Sequence, residues 1–478
     1  VLLAAAAVGV VLFLWLTSDA AARERAPLRI ALAGLLAAAL FEFVRIGIFL
    51  AGPSLVGHAP AWFDEEFPPL IGLLVKGTPI TTVNIRQYGV VPYLLFDPLI
   101  RIVGPGSNGM ELWALILDVA AVVAAYVLTA WRFFGALSQR LLLAVVWFAF
   151  LPLVYVVWQR QVDGWQLFFL SSSLYLFTGS SAQRRWCGVP LALATLTKLL
   201  PAVVIVFLLV KHRVAGLIAV ATIGVLLLVG QLLYGTSMGL GYPFTIAAAS
   251  GQATAAWSMH HENNSLRGLL FKVAAGFRLS DSGSLKYAIS PDAVPVISVV
   301  AYAASLAVLG YLLFAAWRSP ALGSMERRSI EFCLAVMTML LISPHTAHEF
   351  TIVTLIVFGV LGHVALTRRE LWTDKLKIAA LLALLLIGVF IPIDALAGVL
   401  PLRSILTLFG NPPNPAFGYG LGAYDFLGLP GLGLLLLWLV VLVLEQRTRL
   451  AVSETVPAKV ANRAPSPKLT RARAKRRR

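Results

Sequence analysis

Apolar residues dominate this chain in runs of about 15–25 with no sustained two-residue alternation, a pattern that predicts helices. Stretches at roughly 1–17, 30–51, 111–131, 141–158, 165–179, 214–234, 294–317, 329–343, 349–366, 378–395 and 429–445 are each candidate single spans. The run 187–210 differs, because Lys198 and Pro201 interrupt it. It reads either as one span or as two short helices that enter and return. Between the spans the chain is unevenly divided, with long polar segments at 52–110, 235–293 and 396–428 and short connections elsewhere. The sequence shows no strand-rich region, soluble domain or internal repeat. The predicted fold is all-α: a polytopic membrane protein of about 11–13 transmembrane helices with long extracytoplasmic loops.

Charge decides the ambiguous run. With a hairpin at 187–210 and residues 18–29 in the cytoplasm, the short connections and the C-terminal tail together collect 27 of the 38 Lys and Arg. The external side then holds nine, spread over much longer loops, as the positive-inside rule requires. A single span would carry Lys211 and Arg213 outside and invert every later loop, so the hairpin is preferred. The expected arrangement is a membrane domain over 1–445, with function expected on its external face, and a basic tail at 446–478 in the cytoplasm. That tail carries eleven Lys/Arg against the single acid Glu454 and has no apolar face, so it reads as disordered. The first stretch is short and residue 1 is Val, so the N-terminus reads as trimmed or mis-started, or as an uncleaved signal-anchor.

Composition narrows the class. Hydrophobic residues make up 59% of the 478 and charged residues only 13%, where soluble domains carry about 25% charge. Mean hydropathy is +0.86. The net charge of +16 would suggest nucleic acid, but most of it lies in the tail beside the last span. It reads instead as attraction to anionic lipid. Two cysteines, Cys187 and Cys333, exclude a disulfide framework and a cysteine-rich metal site.

Candidate chemistry lies in the external segments. Asp64-Glu65-Glu66 sits between Phe63 and Phe67. Adjacent carboxylates raise one another's pKa, which can make a general base, though the same triplet could be a solvated helix cap. Lys198, in Thr197-Lys198-Leu199-Leu200-Pro201, is expensive to bury unless it meets an anion or water. It could present its ammonium to a phosphate or snorkel to the lipid interface. His345 and His348, three apart in Ser343-Pro344-His345-Thr346-Ala347-His348-Glu349, could share a helical face. Their order lacks the spacing of a helical zinc motif, and hydrogen bonding or phosphate neutralisation suits them better. The loop His260-His261-Glu262-Asn263-Asn264-Ser265-Leu266-Arg267-Gly268 offers groups for sugar hydroxyls or phosphate. Asp163-Gly164-Trp165-Gln166 reads as a helix cap, or else as a substrate contact. Glu42 and Arg45 are expected to pair, and Asp118 is a lone acid inside a span.

Taken in order, these features resemble the GT-C membrane glycosyltransferases, most closely glycosyltransferase family 87, whose members include polyprenyl-phosphate-mannose-dependent mannosyltransferases. The matching points are Phe63-Asp64, the Gly77-Thr78-Pro79 turn, Tyr88 to Pro92, Gly164 and Gln166, Lys198 with Pro201, Asn264 to Gly268, and Ser343-Pro344 with His345 and His348. The resemblance implies a sugar, usually mannose, moved from a polyprenyl-phosphate donor to an extracytoplasmic glycan or glycolipid acceptor with inversion. By position it makes Asp64 the base, with Glu65 and Glu66 as rivals. Lys198, Arg267, His345 and His348 would meet the donor phosphate. Tyr88, Gln166, His260, His261, Glu262, Asn263 and Asn264 would line the substrate. The resemblance implies no cofactor, leaves metal dependence open, and implies a place in the plasma (inner) membrane; with the charge concentrated in the tail, no nucleic acid is expected. Two departures stand out, the acidic triplet in place of one acid and an extra span at 1–17. A transporter or lipid flippase, with Glu42, Arg45, Asp118 and Lys198 lining a path, is the alternative, and a scaffold subunit is a third reading.

Overall fold

The computed structural model describes residues 89–103, 107–148, 150, 152–153, 156, 161–236, 238–244, 263–274, 276–279, 285–288, 290, 292–318, 323–388 and 428–461. Asp64, Glu65, Glu66, Tyr88, His260, His261 and Glu262 lie outside the described residues, as do Glu42, Arg45 and the first two apolar stretches.

The described chain is helical as the apolar runs require. In order come α1 (Val90–Val103), α2 (Ser107–Phe133), α3 (Leu137–Phe148), α4 (Asp163–Phe177), α5 (Ser181–Trp186), α6 (Gly188–Thr197), α7 (Ala202–Lys211), α8 (Arg213–Tyr234) and α9 (Leu266–Ala274). After these come α10 (Ala293–Arg318), α11 (Met325–Ile342), α12 (Thr354–Thr367), α13 (Asp374–Gly388) and α14 (Leu429–Ala461). One antiparallel hairpin, β1 (Gly276–Leu279) with β2 (Leu285–Ala288), pairs Phe277 with Tyr287 inside the long segment 235–293. It is a small exception to the all-α pattern. Helix α14 runs past residue 446, where the sequence placed the start of the tail, and continues to Ala461.

Five helical segments are long and apolar enough to cross a membrane among the described residues: Ile116–Phe133, Arg213–Tyr234, Ala293–Arg318, Glu349–Thr367 and Leu429–Leu450. Their burial differs in a way the sequence predicts. Helix α11 is apolar nearly all round, and from Ser329 to Leu341 every residue is buried, as befits a central helix. Its Phe332 ring meets Phe177 of α4, which in turn meets Phe207 of α7. By contrast, α8 exposes Leu217, Val220, Val225, Leu228 and Leu232, and α10 exposes Val296, Val299, Val300 and Leu306. Those faces are chemically suited to lipid.

The run 187–210 is a hairpin. Helices α6 and α7 each have ten residues, about 15 Å at 1.5 Å per residue, which is half a bilayer core. Gly188, at the start of α6, lies so close to the Ala215 carbonyl of α8 that a Cβ there would overlap it. Ala215 follows the end of α7 by only four residues, so the hairpin's two feet stand together and Lys198 is at its tip. Pro201 turns the chain, with its own carbonyl bonded to Val204 N at 2.9 Å. The same alignment gives the bundle two chemically distinct ends. One carries Asp163, Lys198, Asn263 and Ser343 to His348; the other carries Arg132, Thr178, Lys211, Arg327, Glu331 and Arg368.

Candidate active site

Helix α4 starts at Asp163, behind Val162, which makes no side-chain cap. Asp163 is therefore not the cap that its position in the sequence suggested. Its carboxylate Oδ2 instead accepts from Lys198 Nζ at 2.6 Å, with the two side chains 0% and 3% exposed. That contact also overturns the snorkelling alternative for Lys198, which lies inside protein and not at the lipid interface. The ammonium sits 4.0 Å from the centre of the Phe350 ring, so a carboxylate and an aromatic face hold it from two sides. The backbone around the lysine is fixed as well. Lys198 leaves helical geometry at φ −142°, ψ 138°, its carbonyl accepts from Gln166 Nε2 at 3.5 Å, and Thr197 O accepts from Gly89 N at 3.1 Å. Gly89 must be glycine here, since a Cβ would meet the Leu196 carbonyl.

Two loops close on this tip. After α11 the chain breaks at Ser343-Pro344 because proline cannot continue the helix, and a 3-10 turn (Glu349–Val353) begins after His348. His345 and His348 consequently do not share an α-helical face as their spacing suggested. His345 stacks edge-on to Phe350, with ring centres 6.2 Å apart, which brings it to the ring that holds Lys198. His348 is buried, and its Nδ1 lies 3.4 Å from Asn264 Nδ2.

The segment 263–268 braces that loop. Asn264 N donates to Thr346 O at 2.8 Å. Asn263 Oδ1 accepts from Thr346 N and Ser265 N, both at 3.1 Å, and its Nδ2 donates to Pro344 O at 3.1 Å. Both asparagines are 0% exposed. Arg267, on α9, turns toward α10, where it donates to Tyr302 Oη at 3.0 Å and Ser298 Oγ at 3.5 Å and lies over the Tyr302 ring at 5.0 Å.

Lys198, Gln166, His345, His348, Asn263 and Asn264 thus meet around one point, while Arg267 stands one helix away. The sequence singled out Asp163 as a cap or a substrate contact and not as the partner of Lys198, which could have been found by asking which acid lies near the same depth as a buried lysine. Phe350 carried no signal. Asp118, on α2, packs beside Gly164, whose Cβ would lie 3.5 Å from Asp118 Oδ1. Three buried acceptor atoms, Asp118 Oδ2, Asp163 Oδ1 and Gln166 Oε1, have no hydrogen-bond partner among the described residues. Buried acceptors of this kind suit hydroxyl donors. No cluster of three or more His, Cys, Asp or Glu suited to a metal occurs among the described residues.

This combination is a charged anchor at the tip of a re-entrant hairpin, two histidines on a broken helix and bare acceptors beside them. It can hold an anion and orient hydroxyls within a membrane bundle. No curated protein and no solved structure matches the chain. A family model does: glycosyltransferase family 87 matches residues 88–344, more than half the chain and the span that holds the ion pair, the hairpin and the helix break. The chain therefore belongs to glycosyltransferase family 87 and is a membrane glycosyltransferase.

Proposed function

We propose that the protein transfers a sugar, mannose by the family's preference, from a polyprenyl-phosphate donor to an extracytoplasmic glycan or glycolipid, with inversion. The observation that supports this most directly is Lys198, held at the hairpin tip by Asp163 and Phe350 next to the His345–His348 loop. As the glycosidic bond breaks, the leaving lipid phosphate gains negative charge where water solvates it poorly. Fixed donors aimed at it lower that barrier. A lysine ammonium brings a full positive charge and N–H donors to that point. In this reading Asp163 keeps the lysine charged at depth, while His345 and His348 add donors beside it and Arg267 lies at the edge. Asn263 and Asn264 hold the loops in register, and Gln166 offers an acceptor to a sugar hydroxyl.

The acceptor hydroxyl needs a base, for which Asp64 is the first choice and Glu65 and Glu66 the rivals. Tyr88, His260, His261 and Glu262 complete the proposed substrate contacts. The end of the bundle with Lys198 faces the extracytoplasmic side of the plasma (inner) membrane, and the arginine-rich end faces the cytoplasm. That orientation follows the positive-inside rule. The polar tip residues serve chemistry at one face and do not line a translocation path. The C-terminal basic tail adds contacts to anionic lipid.

The test is transfer from radiolabelled polyprenyl-phosphate-mannose in membranes holding equal amounts of wild type, Asp64→Asn or Lys198→Ala. Transfer by wild type that is lost in both variants is the expected result. Activity surviving Asp64→Asn moves the base to Glu65 or Glu66. Transfer by wild type only from another lipid-linked sugar replaces mannose. Transfer undiminished in Lys198→Ala removes the lysine from the site.

A further inference from the structure

At the end of the bundle opposite Lys198, arginines gather around the C-terminus of α4. Arg132, from α2, donates through Nε to Thr178 Oγ1 at 2.8 Å and through Nη2 to Thr178 O. Arg328, from α11, donates to the same carbonyl at 3.1 Å and to Gly323 O at 2.6 Å. Arg184 follows two turns later on α5, which Ser180 and Gln183 cap reciprocally. Three full positive charges thus face one helix C-terminus, whose dipole offers only about half a negative charge. Two carboxylates act on Arg328, and neither is given over to this cluster: Glu331 is taken by Lys211 at 2.9 Å and Arg327 at 3.2 Å, and Glu326 also faces His363 and Arg368. Burial, and then the charges of Arg184 and Arg132, pull the Arg328 guanidinium below its ordinary pKa. Moreover, the Nε atoms of Arg184 and Arg328 are buried and have no hydrogen-bond partner among the described residues.

A second observation locates this cluster relative to the bilayer. Trp131, Trp186 and Trp317 are 67%, 60% and 71% exposed, and each is adjacent in sequence to an arginine: Arg132, Arg185 and Arg318. They lie at the same end of the bundle on α2, α5 and α10. Exposed tryptophans at one level are the pattern of side chains seated among lipid head groups. A half-buried group of guanidiniums at head-group depth fits a phosphate that arrives on a lipid.

We propose that Arg132, Arg184 and Arg328 form a binding site for the phosphate of an anionic phospholipid, in the leaflet at the end opposite the candidate active site. Guanidinium is suited to this role because its planar donors match phosphate oxygens in pairs. The site is separate from the basic tail and does not depend on the reading of the Lys198 end.

The experiment is native mass spectrometry of the full chain, delipidated in detergent and titrated with phosphatidylglycerol or phosphatidylcholine. Inorganic phosphate is run as a competitor. Arg184→Gln is the primary variant, because that side chain makes no bond holding α4 to its neighbours. Arg213→Gln is the control for charge alone, and circular dichroism checks folding. The expected result is a phosphatidylglycerol adduct that phosphatidylcholine does not form. Its affinity should fall about fivefold in Arg184→Gln, about 1 kcal/mol for one basic group near the surface. Arg184→Lys should recover part of that loss and Arg213→Gln should cause none. Equal binding of both lipids, or equal losses in Arg184→Gln and Arg213→Gln, overturns the proposal. Displacement of the lipid by phosphate at matched concentration overturns the lipid as the ligand.

Discussion

Neutralising one partner of the Asp163–Lys198 pair tests the site most sharply. At 2.6 Å and an effective dielectric constant of about 20, their attraction is roughly 6 kcal/mol. Burying two ions costs several kcal/mol each, so the intact pair contributes little net stability. Removing one side chain is different, because it leaves a buried charge with its counterion gone, at a cost of about 3–5 kcal/mol. Asp163→Asn and Lys198→Met should each show that loss, with Lys198→Met also giving up the contact with Phe350, worth about 0.5–2 kcal/mol. The double variant Asp163→Asn/Lys198→Met should lose far less than the sum, leaving a coupling of at least about 3 kcal/mol. The assay is reversible SDS unfolding in mixed micelles, followed by circular dichroism and paired with sugar transfer. Coupling below about 1 kcal/mol would refute the account of a mutually dependent buried pair. A double variant that folds and still transfers sugar would instead show that the pair is structural, and would end the phosphate role of Lys198.

Two further outcomes follow from the surrounding contacts. Asn263→Ala strips bonds from Thr346 N, Ser265 N and Pro344 O and should destabilise the protein by about 2–4 kcal/mol, read as a lower unfolding midpoint; transfer should fall with it, because the His345–His348 loop loses its brace. At the other end, His212 Nδ1 accepts from Ala215 N at 3.3 Å, which requires the neutral ring. Burial first, and then Arg184 and Arg185, hold its pKa below the ordinary histidine value. The unfolded chain therefore binds this proton more readily, so the contribution is present above about pH 6.5 and is lost as pH falls through the depressed native value. Thermal melts of wild type should weaken over that interval, and those of His212→Asn, whose cap does not titrate, should weaken less.

Much of the fold was legible because a bilayer simplifies the physics. Backbone groups in lipid must be bonded within their own helix, so apolar length alone located α8, α10, α12 and the membrane part of α14. Lysines and arginines then separated the two ends, and Lys211 with Arg213 decided for the hairpin that α6 and α7 form. Less was legible where a local signal competed with a tertiary one. Asp163 begins a helix, and acids at helix starts are commonly caps. Its actual partner lies 35 positions along the chain, at a distance that no periodicity encodes. His345 and His348 have helical spacing, but Pro344 ends the helix first, and a contact with Phe350 replaces the expected shared face.

Residue type alone does not fix the role of an asparagine. Asn263 and Asn264 attracted a substrate-binding role because amides bind hydroxyls, yet the same donors and acceptors serve a buried backbone equally well. In the structure the Asn263 amide is engaged by three backbone groups of two loops, and Asn264 contacts His348. The loop that carries His345 and His348 after a broken helix has no helical hydrogen bonds of its own to fix it. Its open N–H and C=O groups must be met by other parts of the chain. Residues 263–268 meet them, and that is why a polar segment distant in sequence belongs to the same site as Lys198. Gln166 differs in that its Oε1 has no hydrogen-bond partner among the described residues. On this physical ground Gln166 is the stronger candidate to touch sugar, and the asparagines are the stronger candidates to hold the groups that touch phosphate.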